Sequence, residues 1–346
     1  MPEILETRVH ARAGLLGNPS DGYHGKTLAC LVANFRACVR FEESARLRLT
    51  PNPRFDPLDY ADLNALADAC KGRRYYGGLR LMQAACVRFH AECGRMGLAL
   101  KAPPFTAGYD SDIPLQAGLS GSSAIVIAFW KALLRWHGVE GRFDQRTFPG
   151  LALETETVEL GITAGMQDRV VQTYGGLLTM DFDRALMEGR GYGEYRRLDP
   201  ALLPPLYLAH GLDSSDSGGV HSDVRRRFDA GDPEVVEAMR RFAGFAEEGV
   251  RALEAGRKGN LGPLMDSAFG LRRRIFGDAV LGRHNLRMVE LARRFGLSGT
   301  TSGSGGAIVG PQGDEGQNRA FAHALEAEGY HYVRLQVGPE LSWERT

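Results

Sequence analysis

Between Ala124 and Leu134 every position is apolar except Lys131, and the run extends to Trp136. That pattern predicts a helix of about four turns, with His137-Gly138 as its stop. Ahead of it, Pro114 ends an extended segment because it fixes φ and carries no N–H. Elsewhere the periodicity changes. Residues 4–12 alternate and predict a strand ending at Arg12, and 28–49 is β-like, with Phe35, Val39 and Phe41 against polar neighbours. Helices are predicted over 60–71, 77–97 and 149–160, and strands over 98–105, 177–182 and 202–208. After a polar stretch at 183–201 closed by Pro204-Pro205, helices follow at 222–230, 233–255, 260–275 and 283–295. A strand at 307–310, a helix at 316–328 and a strand at 331–337 complete the chain. The polar stretch is the best boundary, dividing the chain into domains 1–200 and 201–346; no 20–50-residue repeat is visible.

Length supports two domains, since 346 residues exceed what one ordinary core needs. Lys+Arg and Asp+Glu balance at 42 each, so no net field favours nucleic acid or an anionic membrane. No apolar run reaches membrane-spanning length, and the first residues carry acids where a signal peptide carries bases. Cys30, Cys38, Cys70, Cys86 and Cys93 form no C-x-x-C pair, which points to free thiols in a reducing compartment. A cytoplasmic protein, monomer or homodimer, is expected.

Chemistry concentrates in loops. Gly118–Ser123 is a small-residue turn feeding the apolar helix, so free N–H groups and the positive helix end share one space; phosphate is the usual occupant. The plainer alternative is that Ser122 and Ser123 only cap the helix. The turn-rich stretch 13–27, with Arg12, Asn18 and Asp21, suits a hydroxylated ligand or is a surface turn. Its Gly25-Lys26-Thr27 is not a Walker A motif, because Ser20 stands where the first glycine belongs. Glu156 and Asp168 flank a glycine-containing turn that is able to join a metal ligand and a reacting carboxylate in one site. Arg73-Arg74-Tyr75-Tyr76 is either an anion-facing patch or a solvated helix start.

Three glycine-rich stations in this order resemble the GHMP kinase superfamily. Pro114…Gly118-Leu-Ser-Gly-Ser-Ser-Ala124 resembles its phosphate loop, with one residue more. Arg12-Ala-Gly-Leu-Leu-Gly17…Asp21 is similar to the sugar-kinase form of its first motif, and Gly299–Gly310 to its third. Gly165-Met-Gln-Asp168-Arg resembles the segment holding the galactokinase-type catalytic aspartate, and Glu156 falls where that group places a magnesium-binding glutamate. Within the superfamily, residues 17–27, 75–81, 118–126 and 216–225 resemble plant-type glucuronokinases. Asn18-Pro19 replaces the glutamate–histidine of galactokinases and argues against galactose.

The resemblance implies an α+β fold of two domains, a ribosomal protein S5 domain 2-like N-terminal one and a ferredoxin-like C-terminal one. It implies ATP with Mg2+ as phosphoryl donor and a sugar acid, D-glucuronate, phosphorylated at its anomeric hydroxyl. Gly118, Leu119, Ser120, Gly121, Ser122, Ser123 and Ala124 would hold phosphates, and Ser122 or Ser123 with Glu156 the metal. Asp168 would take the hydroxyl proton beside Arg12; Asp21 and Asn18 would meet the sugar ring, and Arg225 its carboxylate, with Ser217 and His221 nearby. Galacturonate, a heptose or a neutral sugar are alternative substrates. A sugar sensor without turnover is the alternative of another class, disfavoured by the presence of Arg12, Glu156 and Asp168.

Overall fold

The computed structural model describes residues 4–66, 77–211 and 221–343, the side chains of 221 and 222 excepted. Ser217 and the Arg73–Tyr76 patch fall outside the described residues, and His221 enters only through its backbone. Strands β1 (Leu5–Leu16) and β2 (Lys26–Glu43) form a long antiparallel hairpin. The other edge of β2 is shared: Lys26–Cys30 pairs with β5 (Leu177–Asp181), and Ala37–Glu43 with β4 (Phe105–Ser111). With β3 (Arg48–Leu49) and β6 (Glu194–Leu198) the order is β3-β4-β2-β5-β6, and β1 lies on the free edge of β2.

Helices α1 (Gly78–Arg95) and α2 (Gly121–Trp136) follow, the latter packed on β1 and β2. It is buried without a break from Ser123 to Trp130, as a helix apolar all round must be. The one polar atom of its largest side chain is satisfied, because the Trp130 indole donates to Thr155 Oγ1 at 2.9 Å. Helices α3 (Phe148–Thr157) and α4 (Gln167–Tyr174) then place Glu156 and Asp168. After α5 (Arg184–Arg190), the second sheet takes the order β10-β7-β9-β8, built from β7 (Leu206–His210), β8 (Thr300–Thr301), β9 (Ala307–Pro311) and β10 (His331–Arg334). All its ladders are antiparallel, which is the ferredoxin-like order.

Helices α6 (His221–Asp229), α7 (Pro233–Glu254) and α8 (Leu261–Phe276) lie between β7 and β8, and α7 packs back onto β1 and β2. The chain recrosses after β10, where Gly338 N–H donates to Leu31 O at 2.8 Å. The second half thereby touches the first both through α7 and through its last residues.

Several boundaries differ from expectation. The strand expected over 98–105 is β4, which begins only at Phe105, because Pro103 and Pro104 have no N–H for a ladder. Arg12 is not a strand end; β1 runs on through six consecutive buried residues to Leu16. The polar stretch 183–201 contains α5 and β6, a strand whose mostly solvent-facing side chains hide it from a hydrophobicity reading. The strand after Pro204-Pro205 starts at Leu206.

Candidate active site

One cleft of about 1660 Å³ is lined by the loop 18–23, by Gly118–Ser122, by Glu156 and Asp168, and by Arg225 and Arg272 from the second half. Its floor is the start of α2. Ser120 holds the N-cap position with φ of 65°, so the loop turns sharply before the helix begins. Its Oγ is buried without a hydrogen-bond partner, an orphan that a ligand oxygen would satisfy. Ser123 differs: it is 1% exposed and its hydroxyl donates back to Ser120 O at 3.1 Å. Ser122 faces the cleft, whereas Ser123 and Ala124 belong to the helix core.

The loop is clamped from the second half. Gly118 has φ of +65°, and a Cβ there would meet Gly305 O at 2.6 Å. Ser302 Oγ donates to Gly118 O at 3.3 Å, and Gly14 N–H to Ser302 O at 2.8 Å. The 118–123 loop and the third glycine-rich station therefore meet main chain to main chain.

Beside this floor, Arg12 is 3% exposed and donates through one guanidinium nitrogen to Ser302 O and through the other to Asp168 Oδ1. Asp168 also has the Arg169 guanidinium at 3.5 Å, so two cations flank one carboxylate. Arg169 in turn donates to Glu156 Oε2 and, at 2.8 Å, to Gly165 O. The Arg169 and Glu156 side chains are 3% and 1% exposed. Burial works against the Arg169 charge, but the Glu156 and Asp168 carboxylates outweigh it and hold its pKa above the ordinary value. The chain Arg12–Asp168–Arg169–Glu156 is thus one network. Sequence reasoning found three of its members and missed Arg169.

The opposite wall carries the expected sugar-side residues. Asp21 accepts from Gln167 N–H at 3.3 Å and from Gln167 Nε2 at 3.2 Å. Burial, with the Asp168 charge second, pushes its pKa up to about 6. Its proton is thus held more tightly folded than unfolded, so ionisation costs stability as pH rises from about 4 to about 6, and the cost persists above. Asp21→Asn is expected to raise the thermal midpoint at pH 8, with the gain shrinking toward zero below pH 4. Melting curves at both pH values check this; an equal gain at each would rule out titration as the cause.

Arg225 donates through Nε to both Asp229 oxygens, at 3.0 and 2.9 Å, and through Nη1 to Gly22 O at 3.0 Å. Its side chain is 53% exposed at the cleft mouth. Two further groups escaped the sequence reading. Arg272, 5% exposed, approaches Asn18 Oδ1 at 3.4 Å, and its neighbours Arg273 and Arg274 face away from the core. Phe55, Leu81, Tyr109 and Ile113 make an apolar recess next to the loop, with Tyr109 fixed by its hydrogen bond to Asp56 Oδ2 at 2.7 Å. The Gly25-Lys26-Thr27 lysine instead pairs with Glu247 at 2.6 Å and does not line the cleft.

The family model described as "GHMP kinases N terminal domain" matches residues 80–176. The chain is 44% identical to "Glucuronokinase 1" of Arabidopsis thaliana over 337 residues, covering 97% of this chain and 92% of that protein. It is 45% identical to "Probable glucuronokinase 2" of the same plant over 307 residues, 88% and 84% of the two chains. In fold it is similar to a Listeria innocua Lin0012 protein (TM-score 0.77, 14% identity, 98% and 99% coverage). It is also similar in fold to Lactococcus lactis galactokinase complexed with galactose (TM-score 0.71, 13% identity, 97% and 94% coverage).

Proposed function

The chain belongs to the GHMP kinases, in the branch of the glucuronokinases, and on that premise we propose that it phosphorylates D-glucuronate at the anomeric hydroxyl, with ATP as donor. The single observation that carries the catalytic part is the Arg12–Asp168 pair standing over the floor of the phosphate loop. The anomeric oxygen attacks the γ-phosphorus, the bond to the β–γ bridging oxygen breaks, and ADP leaves with that bond's electrons. Asp168 Oδ2 takes the hydroxyl proton, while Oδ1 stays fixed on Arg12. Arg12 adds positive charge beside the transferring group. N–H groups of Leu119–Ser122 and the α2 dipole hold the phosphates, and the Phe55–Tyr109 recess takes the adenine.

The donor set fits magnesium, which asks for a few hard oxygens and keeps several waters. Ser122 and Glu156 line the same cleft as the loop and would hold the ion; bound there it would neutralise phosphate charge. Ser123, turned back onto Ser120, is the poorer of the two serines. Residues 1–200 would carry the nucleotide and 201–346 close the sugar side. Among the described residues no helix is long and apolar enough to cross a membrane. Cys30, Cys38, Cys86 and Cys93 are free thiols, which supports the cytoplasm as the compartment.

ADP release measured against glucuronate, galacturonate, heptoses and neutral sugars tests the reading. Turnover is expected on glucuronate. Turnover only on a neutral sugar would remove the acid specificity, and ATP binding without turnover on any sugar would favour a sensor.

A further inference from the structure

A sugar acid brings a carboxylate into a cleft whose cations are nearly all committed. Arg12 and Arg169 hold Asp168 and Glu156. Arg225 and Arg226 hold Asp229 and Asp223. Arg283 is exposed, and its charge is solvated. Arg272 stands apart: it lines the cleft, is 5% exposed, and has no carboxylate within ion-pair distance among the described residues. Its contacts are the neutral Asn18 Oδ1 at 3.4 Å and the Phe276 ring, 5.5 Å from guanidinium to centroid. A buried cation without an anion is costly, and a fold keeps one at a ligand site when the ligand supplies the counter-charge.

We propose that Arg272 receives the carboxylate of the sugar acid and sets the enzyme's preference for acids over neutral sugars. The inference rests on the kinase reading above. Position supports it: Arg272 contacts Asn18 and feels the charges of both Asp21 and Arg12, so it shares the sugar end of the cleft with the proton acceptor. In a pyranuronate the ring carbons that carry the carboxylate and the anomeric hydroxyl flank the ring oxygen, so the counter-ion must stand near Asp168 without touching it. Burial also lowers the Arg272 pKa to about 10, the expected mark of a charge awaiting a partner. Its planar fork suits a carboxylate bidentately. Arg225 is the weaker candidate, because its donors are occupied by Asp229 and Gly22 and its charge faces water.

The test compares glucuronate with glucuronamide, its neutral isostere, in wild type, Arg272→Met and Arg272→Lys. Wild type is expected to prefer glucuronate about 100-fold in kcat/KM. Arg272→Met should raise the glucuronate KM about 100-fold with kcat within about threefold, leaving the KM values for glucuronamide and ATP nearly unchanged. Arg272→Lys should recover part of the loss as a point charge. Equal losses of Arg272→Met on both substrates would overturn the proposal. So would a wild type that does not distinguish them, a result that needs no folded variant. A wild type inactive on every sugar acid would remove the sugar-acid reading on which this inference rests, and the inference with it, before any variant is made.

Discussion

Asp168→Asn is expected to lower kcat about a thousandfold, while the KM values for ATP and sugar move only a few-fold. The substitution keeps the shape and leaves an amide oxygen for the Arg12 guanidinium that now holds Oδ1. On the proposed mechanism it removes the oxygen that would take the proton. A thousandfold loss is about 4 kcal/mol of transition-state stabilisation, a reasonable share for one positioned proton acceptor in a reaction otherwise driven by charge neutralisation. Single-turnover kinetics on glucuronate give the answer directly. A variant keeping more than about a tenth of wild-type kcat would reduce Asp168 to an anchor for Arg12, with the proton leaving through water.

The largest loss of stability is expected one residue further on. Arg169→Met would leave Glu156, 1% exposed in its side chain, without its cation, at a cost of about 3–5 kcal/mol. It would also free Gly165 O, which Arg169 holds at the turn between α3 and α4. Adding Glu156→Gln to Arg169→Met removes the stranded charge and should restore most of the stability, but not the activity if Glu156 holds the metal. Urea unfolding of the two single variants and the double variant closes the cycle. Additive losses would show that the pair is not what holds this corner together.

The loops were legible because glycine and serine spacing records what the backbone must do. The positive φ of Gly118 is a local demand that a glycine in a turn records, whereas the room it leaves for Gly305 O is a contact between distant segments that only the fold shows. The glycine-containing turn between α3 and α4 allowed Glu156 and Asp168 to be read as one site, but only the family pattern joined Arg12 to them, since nothing in the spacing says that β1 meets α4. Arg169 was hidden by its surroundings: every residue of α4 but Asp168 is buried, although five of its eight residues are polar. Arg272 does leave a signal in the chain. It stands in phase with Leu261, Met265, Ala268 and Phe269, which is a charge on the apolar stripe of α8. The Arg272-Arg273-Arg274 cluster concealed it, because only the first of the three turns inward. β6 was missed for the opposite reason: its sheet pairing is regular, but only Leu198 is buried.

The meeting of Gly118 with the turn around Ser302 and Gly305 also bears on how such an enzyme can be redesigned. Apart from the Ser302 hydroxyl that seam is main chain against main chain, so a side chain added at Gly118 has to move backbone in both halves at once. The wall formed by the 18–23 loop, Arg225 and Arg272 is made of side chains and can be exchanged residue by residue. On the proposed roles of the two walls, acceptor choice and phosphate handling would be separable engineering problems in this scaffold, with room for variation on one wall and almost none on the other.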